Sequence, residues 1–209
     1  MSNIFVISAP SGAGKSTLIN ELLARDPTLV KSLSITTRPI REGEVDGFDY
    51  IFTTEADFRN RLASGEFIEY ANVHGNWYGT SRASLSQQIS KGCDVLLEID
   101  VQGAAVIREL FPESVSIFVL PPNKETLRIR LENRQTDSRD VIERRLKAAS
   151  DEITRAGEYQ YAIINDELHR CVGDLQAIIH VARVKGMKNS ILETFGKILG
   201  DLSNGQNHS

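Results

Sequence analysis

The sequence has little of what marks a secreted, membrane-spanning or nucleic-acid-binding chain. Its two cysteines, Cys93 and Cys171, lie beside apolar stretches, so we expect buried free thiols rather than a disulfide. No apolar run approaches the roughly 18 residues that a membrane span needs, and no basic leader precedes the first apolar run. The net charge of −4 disfavours bulk nucleic-acid binding but permits an anionic small molecule held by local arginines. These absences favour a cytoplasmic protein without a membrane or nucleic-acid partner.

Four apolar runs rich in isoleucine and valine predict buried strands. They span residues 4–8, 95–100, 116–120 and 161–165. Helical patterns lie between or after them, at residues 16–26, 84–92, 102–111, 124–134 and 175–187. Strands without clean alternation, separated by helices, are typical of a parallel sheet buried on both faces. The length of 209 residues suits one domain, so we predict a single domain of the α/β class.

Two segments interrupt this alternation of strands and helices. Residues 33–83 hold short alternating pieces and several turn residues, which predict a small, more antiparallel insertion. Residues 124–155 are dense in arginine and lysine at helical spacing, a pattern that by itself indicates a solvated helix face with ion pairs. The core is therefore assigned to residues 1–32, 84–123 and 156–200. The polar end of the chain predicts a flexible tail over residues 201–209.

The stretch SAPSGAGKST, residues 8–17, lies between a predicted strand and a predicted helix. A glycine-rich turn that ends in Lys-Ser indicates a phosphate-binding P-loop in this context. Backbone N–H groups would surround a phosphate, and the following helix would add its N-terminal dipole. Lys15 would neutralise the transferred phosphoryl group, and Ser16 would offer its hydroxyl to Mg²⁺. The predicted ATP-binding residues of the loop are Ala9, Pro10, Ser11, Gly12, Ala13, Gly14, Lys15, Ser16 and Thr17.

Ala9 stands where the pattern G-x-x-x-x-G-K-[ST] has glycine. The position leaves the strand, where a negative φ is expected, and alanine carries the smallest possible side chain with a Cβ. We therefore expect little damage to the loop. A glycine-rich turn with an incidental lysine is the alternative interpretation.

The predicted insertion contains groups that suit a second phosphate. The guanidinium groups of Arg38 and Arg41 and the phenol hydroxyls of Tyr50 and Tyr78 could together hold a dianion. Taken singly, the arginines could be surface charges and the tyrosines could be core aromatics with hydrated hydroxyls. Their joint presence downstream of a P-loop favours the binding function.

Glu69 could read a guanine base. Guanine presents two adjacent donors, N1–H and the N2 amino group, and an ionised carboxylate accepts from both, whereas adenine presents an acceptor at N1. A site of this kind rejects the wrong base because a buried group is left unpaired. Hydroxyls of Ser34 and Thr80 could serve guanine O6. Considered alone, Glu69 could instead be a solvent-facing strand residue.

Together these motifs resemble the guanylate kinase family. The resemblance covers about residues 4–185 and is carried by APSGAGKST, TTRPIREGEVDGFDY, FIEYANVHGNWYGTS, LLEIDVQGA and IIND. It implies a P-loop NTPase-type parallel sheet flanked by helices, a mixed-sheet GMP-binding insertion over residues 33–83 and a helical lid over residues 124–155. It also implies Mg²⁺-dependent transfer of the γ-phosphoryl group of ATP to GMP, with dGMP as a further acceptor.

The resemblance assigns roles to residues outside the P-loop. Glu98 is expected as a further GMP contact, and Asp100 as a residue that contacts GMP and orders Mg²⁺ through water. Arg134 and Arg145 of the lid would point at the ATP phosphates, and Asn165 would lie near the adenine edge. The four histidines lack metal-ligand spacing and receive no role.

The expected catalytic residues are Lys15, Arg38, Arg134 and Arg145. They would neutralise charge on the moving phosphoryl group while an oxygen of the GMP phosphate attacks directly. Gln135 stands where the family often has glycine, a departure that bears on the lid hinge. Two rival functions stay open, a related kinase acting on AMP, a pyrimidine nucleotide or a phosphorylated sugar, and a non-catalytic phosphopeptide-binding module. ATP and GMP are the expected partners, and a homo-oligomer stays open.

Overall fold

The computed structural model describes the backbone of residues 2–132 and 139–204, and the side chains of residues 2–132 and 142–187. The strands are β1 (Ile4–Ser8), β2 (Leu29–Ser32), β3 (Ser34–Thr36), β4 (Ile51–Phe52), β5 (Phe67–Val73), β6 (Asn76–Ser81), β7 (Asp94–Glu98), β8 (Val115–Leu120) and β9 (Tyr161–Ile164). The α-helices are α1 (Lys15–Arg25), α2 (Glu55–Ala63), α3 (Arg82–Ser90), α4 (Val101–Leu110), α5 (Lys124–Glu132), α6 (Arg139–Thr154) and α7 (Leu168–Asn204). A short 3₁₀-helix, Arg155–Glu158, follows α6.

Five strands form one parallel sheet in the order β2-β7-β1-β8-β9. Strand β1 lies at its centre and is buried at every residue. Phe5 and Ile7 pack with residues of α1 and α7 on one face, whereas Val6 packs with residues of α3 and α4 on the other. Burial on both faces explains why this strand is an unbroken apolar run in the sequence. The predicted α/β class, with a parallel sheet flanked by helices, is confirmed.

Strands β3 to β6 form a second, mixed sheet in the order β4-β3-β6-β5. Strand β3 is parallel to β4 and antiparallel to β6, and β5 and β6 form a hairpin. The hairpin turn places His74 and Gly75 at φ of 51° and 83°, which matches the two-residue turns that suit strand twist. Helix α2 stacks Phe58 on Phe67 with ring centroids 4.5 Å apart. The prediction of a small, more antiparallel sheet is confirmed.

Two elements of this fold have weak signals in the sequence and were not predicted. Strand β2 has four residues, of which Val30 and Lys31 are half-buried, and it lies at the edge of the core sheet. Helix α2 is mostly polar, and its clearest signal is the Thr54 cap, whose hydroxyl accepts from the Asp57 amide at 3.1 Å. Short edge elements carry too few apolar positions for a periodic pattern to be recognised.

Helix α7 is much longer than the apolar pattern that predicted it. It continues to Asn204, so residues 201–204, which the sequence analysis placed in the tail, are helical. The described helices include none that is long and apolar enough to cross a membrane. Cys93 and Cys171 are both free, with Cys171 buried and Cys93 half-buried.

Candidate active site

The P-loop connects β1 to α1 at the carboxyl edge of the core sheet. Gly12 and Gly14 have φ of 89° and 84°, a left-handed conformation that residues with a Cβ rarely adopt. The Ala13 amide donates to the Pro10 carbonyl at 3.0 Å and closes the turn. Helix α1 begins at Lys15 without a side-chain cap. Its first amides are therefore available to an anion.

Ala9 fits this loop without backbone strain. Among the residues that the structure describes, His74 alone combines a side chain with a positive φ, so Ala9 avoids the left-handed region as expected. Ala9 also packs against the buried cluster that contains Phe5 and Leu18. The missing motif glycine therefore leaves the turn intact.

Side chains from three later segments hold the loop from outside. Asn165 Nδ2 and Arg130 Nη1 both donate to the Ala13 carbonyl, at 2.7 and 2.9 Å. Arg145 of α6 donates to the Ser11 hydroxyl at 2.6 Å. Asn165, expected near adenine, is buried and directs its amide to the P-loop main chain. Helices α5 and α6 are thereby attached to the P-loop.

Lys15 and Ser16 point toward the end of β7. The Lys15 ammonium donates to the Ile99 carbonyl at 3.4 Å and lies 3.9 Å from Glu98 Oε1. The Ser16 hydroxyl donates to the same carboxylate oxygen at 2.9 Å. Burial acts to raise the pKa of Glu98, but the ammonium groups of Lys15 and Lys31 outweigh it and hold that pKa below its usual value. The ionised Glu98 carboxylate thus binds the P-loop serine, a contact that the sequence analysis did not expect.

One cavity of about 650 Å³ joins the P-loop to the mixed sheet. It is lined by most residues predicted from the sequence: Ala9, Pro10, Ser11, Gly12, Ala13, Gly14, Lys15, Ser16, Thr17, Ser34, Arg38, Arg41, Tyr50, Glu69, Tyr78, Glu98, Asp100 and Arg145. Thr80 and Asn165 lie behind this lining. Arg134 and Gln135 lie outside the described residues. The lining residues that the sequence analysis missed are Ala71, Val73, His74, Asn76, Ile99, Arg144 and Glu152.

Glu69 reaches the cavity from β5, beside a bulge in the pairing of β5 with β6. Bulges of this kind change the direction of a side chain relative to a regular strand. The carboxylate is 4% exposed and accepts a hydrogen bond from the Thr80 hydroxyl. A Cβ on Gly103, in the first turn of α4, would collide with Glu69 Oε2. The glycine therefore makes room for the carboxylate.

Burial raises the pKa of Glu69 to about 7. The Thr80 hydroxyl acts to lower it, and the negative charge of Asp100 acts to raise it. Glu69 is therefore close to half ionised near neutral pH. A ligand that presents two N–H donors would pair with the ionised form and lower this pKa.

Ser34 and Thr80 face each other across the pairing of β3 with β6. Both are buried, and Ser34 lines the cavity. The Thr80 hydroxyl donates its hydrogen bond to the Glu69 carboxylate, so Thr80 acts on the carboxylate instead of facing the cavity. A direct contact of Thr80 with guanine O6, as the sequence analysis expected, is not the contact that this geometry favours.

Arg38, Tyr50 and Tyr78 form a cluster beside the mixed sheet. The Arg38 guanidinium lies 5.3 Å from the Tyr50 ring centroid, and the Tyr50 and Tyr78 rings meet edge-on at 6.1 Å. Glu44 accepts from both Nη atoms of Arg38, at 3.0 and 2.7 Å, and from the Arg41 amide at 2.8 Å. Burial raises the pKa of Tyr50, so its hydroxyl stays protonated and can donate. A phosphate at this cluster would compete with Glu44 for Arg38.

The oxygen groups at the edge of the core sheet fit a magnesium ion held largely by a nucleotide. The described side chains include no group of three His, Cys, Asp or Glu residues arranged to hold a metal. Mg²⁺ at nucleotide sites takes one or two carboxylates and completes its shell with water and substrate phosphates. The Ser16 hydroxyl and the Asp100 carboxylate both line the cavity. Asp100 also caps α4 by accepting from the Gly103 amide at 2.9 Å.

Comparison with solved structures places this fold in a known class. A shikimate kinase from Bacteroides thetaiotaomicron matches with a TM-score of 0.50 and 14% identity, over 85% of this chain and 98% of that one, a likeness of fold alone. The parallel sheet, the P-loop at its carboxyl edge and the cavity shared with a second sheet define a P-loop nucleotide-binding fold.

Sequence comparison identifies the family within that class. The guanylate kinase family model matches residues 1–182. A guanylate kinase from Dechloromonas aromatica is 49% identical over 180 residues, which are 86% of this chain and 89% of that protein. The crystal structure of guanylate kinase from Anaplasma phagocytophilum matches with a TM-score of 0.73 and 38% identity, over 86% of this chain and 85% of that one. The chain belongs to the guanylate kinase family, which confirms the resemblance drawn from its motifs.

Proposed function

We propose that this chain transfers the γ-phosphoryl group of ATP to GMP and releases ADP and GDP. The observation that carries the proposal is the single cavity lined by both the P-loop and Glu69. A triphosphate on the loop and a purine at Glu69 would bring the two reacting phosphates into the same space. Membership of the guanylate kinase family supports the same reaction.

On the ATP side, the amides of residues 9–16 and the N-terminus of α1 bind the phosphates. Lys15 neutralises charge on the transferred group. Arg145, already bonded to Ser11 in the loop, supplies a second cation, and Arg134 is proposed as a third from the sequence alone. Asn165 acts by holding the Ala13 carbonyl and hence the shape of the loop.

On the GMP side, Glu69 accepts from guanine N1–H and from the N2 amino group. Ser34 donates to guanine O6, and Thr80 fixes the Glu69 carboxylate. Adenine would place a lone pair against the same carboxylate, which would leave both groups unpaired in a buried site.

The GMP phosphate is proposed to bind Arg38, Arg41, Tyr50 and Tyr78. In the structure Glu44 occupies both Nη positions of Arg38. Phosphate binding therefore replaces an internal carboxylate with a dianion, and the larger charge favours the exchange. This cluster orients the attacking oxygen and helps to neutralise the transferred group.

Ser16 and Asp100 are proposed to hold Mg²⁺ together with the ATP phosphates. When bound, the ion neutralises negative charge on the transferred phosphoryl group. The Ser16 hydroxyl donates its hydrogen bond to Glu98, so its oxygen lone pairs remain available to a cation. Glu98 thus contributes through Ser16, and a contact of Glu98 with GMP, which the family resemblance implies, stays a prediction.

The chain supplies position and charge, and no side chain needs to act as a strong base. A phosphate monoester is largely dianionic near neutral pH because its second pKa is about 6. Water would compete as the acceptor, so we propose that residues 33–83 and 124–155 close over the substrates. Small-angle scattering with and without a bisubstrate analogue should show a contraction, and an unchanged radius of gyration would count against closure.

A panel of monophosphate acceptors tests the proposed reaction. With Mg²⁺-ATP in a coupled assay, kcat/KM for GMP should exceed that for AMP, CMP and UMP by about a thousandfold or more. dGMP should follow GMP, because no lining residue is assigned to the 2′-hydroxyl. The Lys15→Met protein, purified in the same way, reports any contaminating kinase. Equal activity with AMP would refute the role of Glu69.

The division of the chain, its partners and its location are proposed as well. We propose a core of residues 1–32, 84–123 and 156–200, a GMP-binding insertion of residues 33–83 and a lid of residues 124–155. ATP and GMP are the proposed partners, with neither nucleic acid nor a membrane. We propose a cytoplasmic location, where free thiols persist.

A further inference from the structure

Lys31 lies where the core sheet meets the mixed sheet, and no motif in the sequence includes it. It belongs to the edge strand β2, three residues before β3 begins. Its ammonium lies 2.8 Å from Glu98 Oε2, with side-chain exposures of 13% for Lys31 and 3% for Glu98. Burying two charges carries a desolvation penalty that the pair alone often does not recover. A contact of this kind therefore calls for a functional reason.

The same carboxylate binds the P-loop through its other oxygen. Glu98 Oε1 accepts from the Ser16 hydroxyl at 2.9 Å and lies 3.9 Å from the Lys15 ammonium. Two ammonium groups thus share one carboxylate, and Lys31 is the closer of the two. Lys15 lies at the outer limit of an ion pair and donates one long hydrogen bond to the Ile99 carbonyl at 3.4 Å, so its other donors are available to another anion.

We infer that Lys31 is a positioning residue that binds Glu98 and thereby keeps Lys15 available to the phosphates of ATP. The inference rests on the proposed function for its kinetic consequences, although its effect on ATP binding does not require GMP.

The physical reason is competition between two cations for one buried carboxylate. Coulomb attraction grows as charges approach and as water is excluded. Without Lys31, the nearest cation to the buried Glu98 is Lys15, which would move closer to the carboxylate and away from a bound triphosphate. The cluster of two lysines and Glu98 would also change from a net charge of +1 to zero. Both effects weaken the attraction for ATP.

Lys31 has a second contact, which defines a rival route. Its ammonium lies 5.5 Å from the Tyr50 ring centroid, on a residue of the proposed GMP phosphate cluster. If this cation–π contact were the important one, loss of Lys31 would weaken GMP binding and leave ATP binding intact. The two routes therefore predict effects on different substrates.

The test is a double-mutant cycle that joins Lys31→Met with Glu98→Gln. Calorimetry measures Mg²⁺-ATP binding without GMP, and steady-state assays measure KM for each substrate. Lys31→Met should weaken ATP binding about tenfold, with KM for GMP changed less than about threefold, and Lys31→Arg should recover most of the loss. In the Glu98→Gln background, Lys31→Met should weaken ATP binding by only about twofold, because one positive charge is still lost but no carboxylate is left to draw Lys15 inward.

Lys91→Met is the matched control. Lys91 is an exposed residue at the end of α3, and its substitution by methionine removes the same charge. It should leave ATP binding unchanged. The inference would be overturned if Lys31→Met lowered the affinity for ATP equally in both backgrounds, or if it changed only the KM for GMP. If Lys31→Met does not fold, Lys31→Gln is measured against the same two outcomes. Wild-type protein that binds ATP but does not phosphorylate GMP would refute the proposed function and leave the ATP-binding test intact.

Discussion

The two halves of the cavity are built from different parts of the polypeptide. The P-loop half offers main-chain amides from one continuous stretch, residues 9–16, and its turn is fixed by Gly12 and Gly14. The other half uses side chains carried by β3, β5, β6 and the segments around them. The loop tolerates Ala9 because its backbone avoids the left-handed region and its side chain packs against the buried cluster that contains Phe5. A side-chain site depends on the identity and direction of every residue.

This difference separates affinity for phosphate from recognition of the base. Amides and a helix N-terminus bind any phosphate chain, whatever base it carries. A buried carboxylate with a fixed hydroxyl partner accepts only a matching pair of donors. Specificity in this chain should therefore reside on the mixed sheet, and loss of one half should leave binding at the other.

The largest effect should follow from Lys15→Met. We expect kcat to fall about a thousandfold, because a cation facing the transferred group is lost. The affinity for GMP should stay within about twofold, since no GMP contact is proposed for Lys15. Coupled assays and calorimetry with GMP measure the two quantities. A parallel loss of GMP affinity would mean that the two halves do not act separately.

Glu69→Gln should have the next largest effect. The amide offers one acceptor and one donor, so one guanine donor would face another donor, and we expect kcat/KM for GMP to fall about a hundredfold. Binding of Mg²⁺-ATP should not change. Glu55→Gln is the matched control and should behave as wild type. Glu55 is an exposed residue at the start of α2, within residues 33–83 like Glu69. Unaltered GMP kinetics in Glu69→Gln would remove Glu69 from base recognition.

Gly103→Ala tests whether the position of Glu69 matters as much as its charge. The new Cβ would collide with Glu69 Oε2, so KM for GMP should rise about thirtyfold while ATP binding is retained. Gly173→Ala in α7 is the matched control, because nothing lies within 4 Å of its Cβ position. Its kinetics should be unchanged. If both alanine variants resemble wild type, the carboxylate is free to move and its position is not essential.

Acidic pH should weaken GMP binding by a smaller factor. The pKa of Glu69 is raised to about 7, so the carboxyl is mostly ionised at pH 8 and mostly protonated at pH 6. The protonated form cannot accept both guanine donors, and protonation of Glu69 alone should raise KM for GMP about tenfold from pH 8 to pH 6.

The GMP phosphate also gains a proton in this range, since its second pKa is about 6. Glu69→Gln isolates that contribution, which should be about twofold. A pH profile that is identical in wild type and Glu69→Gln would show that Glu69 does not titrate in this role.

The sequence was sufficient where function depends on contiguous residues. The P-loop, the central strand β1 and helix α1 follow from a local motif and from an unbroken apolar run. The chemistry of the side chains in residues 33–83, reinforced by the family resemblance, predicted Glu69 and the phosphate cluster, and the cavity brings these residues together.

The sequence was insufficient where contacts depend on strand register. The bond from Thr80 to Glu69 requires the bulge in β5, and the pair of Lys31 with Glu98 requires β2 to lie beside β7. Neither condition leaves a periodic signal in the chain. The hydrogen bonds from Arg38 to Glu44 likewise depend on the conformation of the loop between the two residues. Such contacts join residues whose separation in sequence does not indicate their separation in space.

The most direct test is a crystal structure with GMP and a non-hydrolysable ATP analogue. We expect guanine N1 and N2 within about 2.7–3.2 Å of the Glu69 oxygens, and Arg38 bound to the GMP phosphate in place of Glu44. The terminal phosphate of the analogue should lie between Lys15 and the GMP phosphate. A guanine ring placed away from Glu69, or a GMP phosphate turned away from Lys15, would contradict the account.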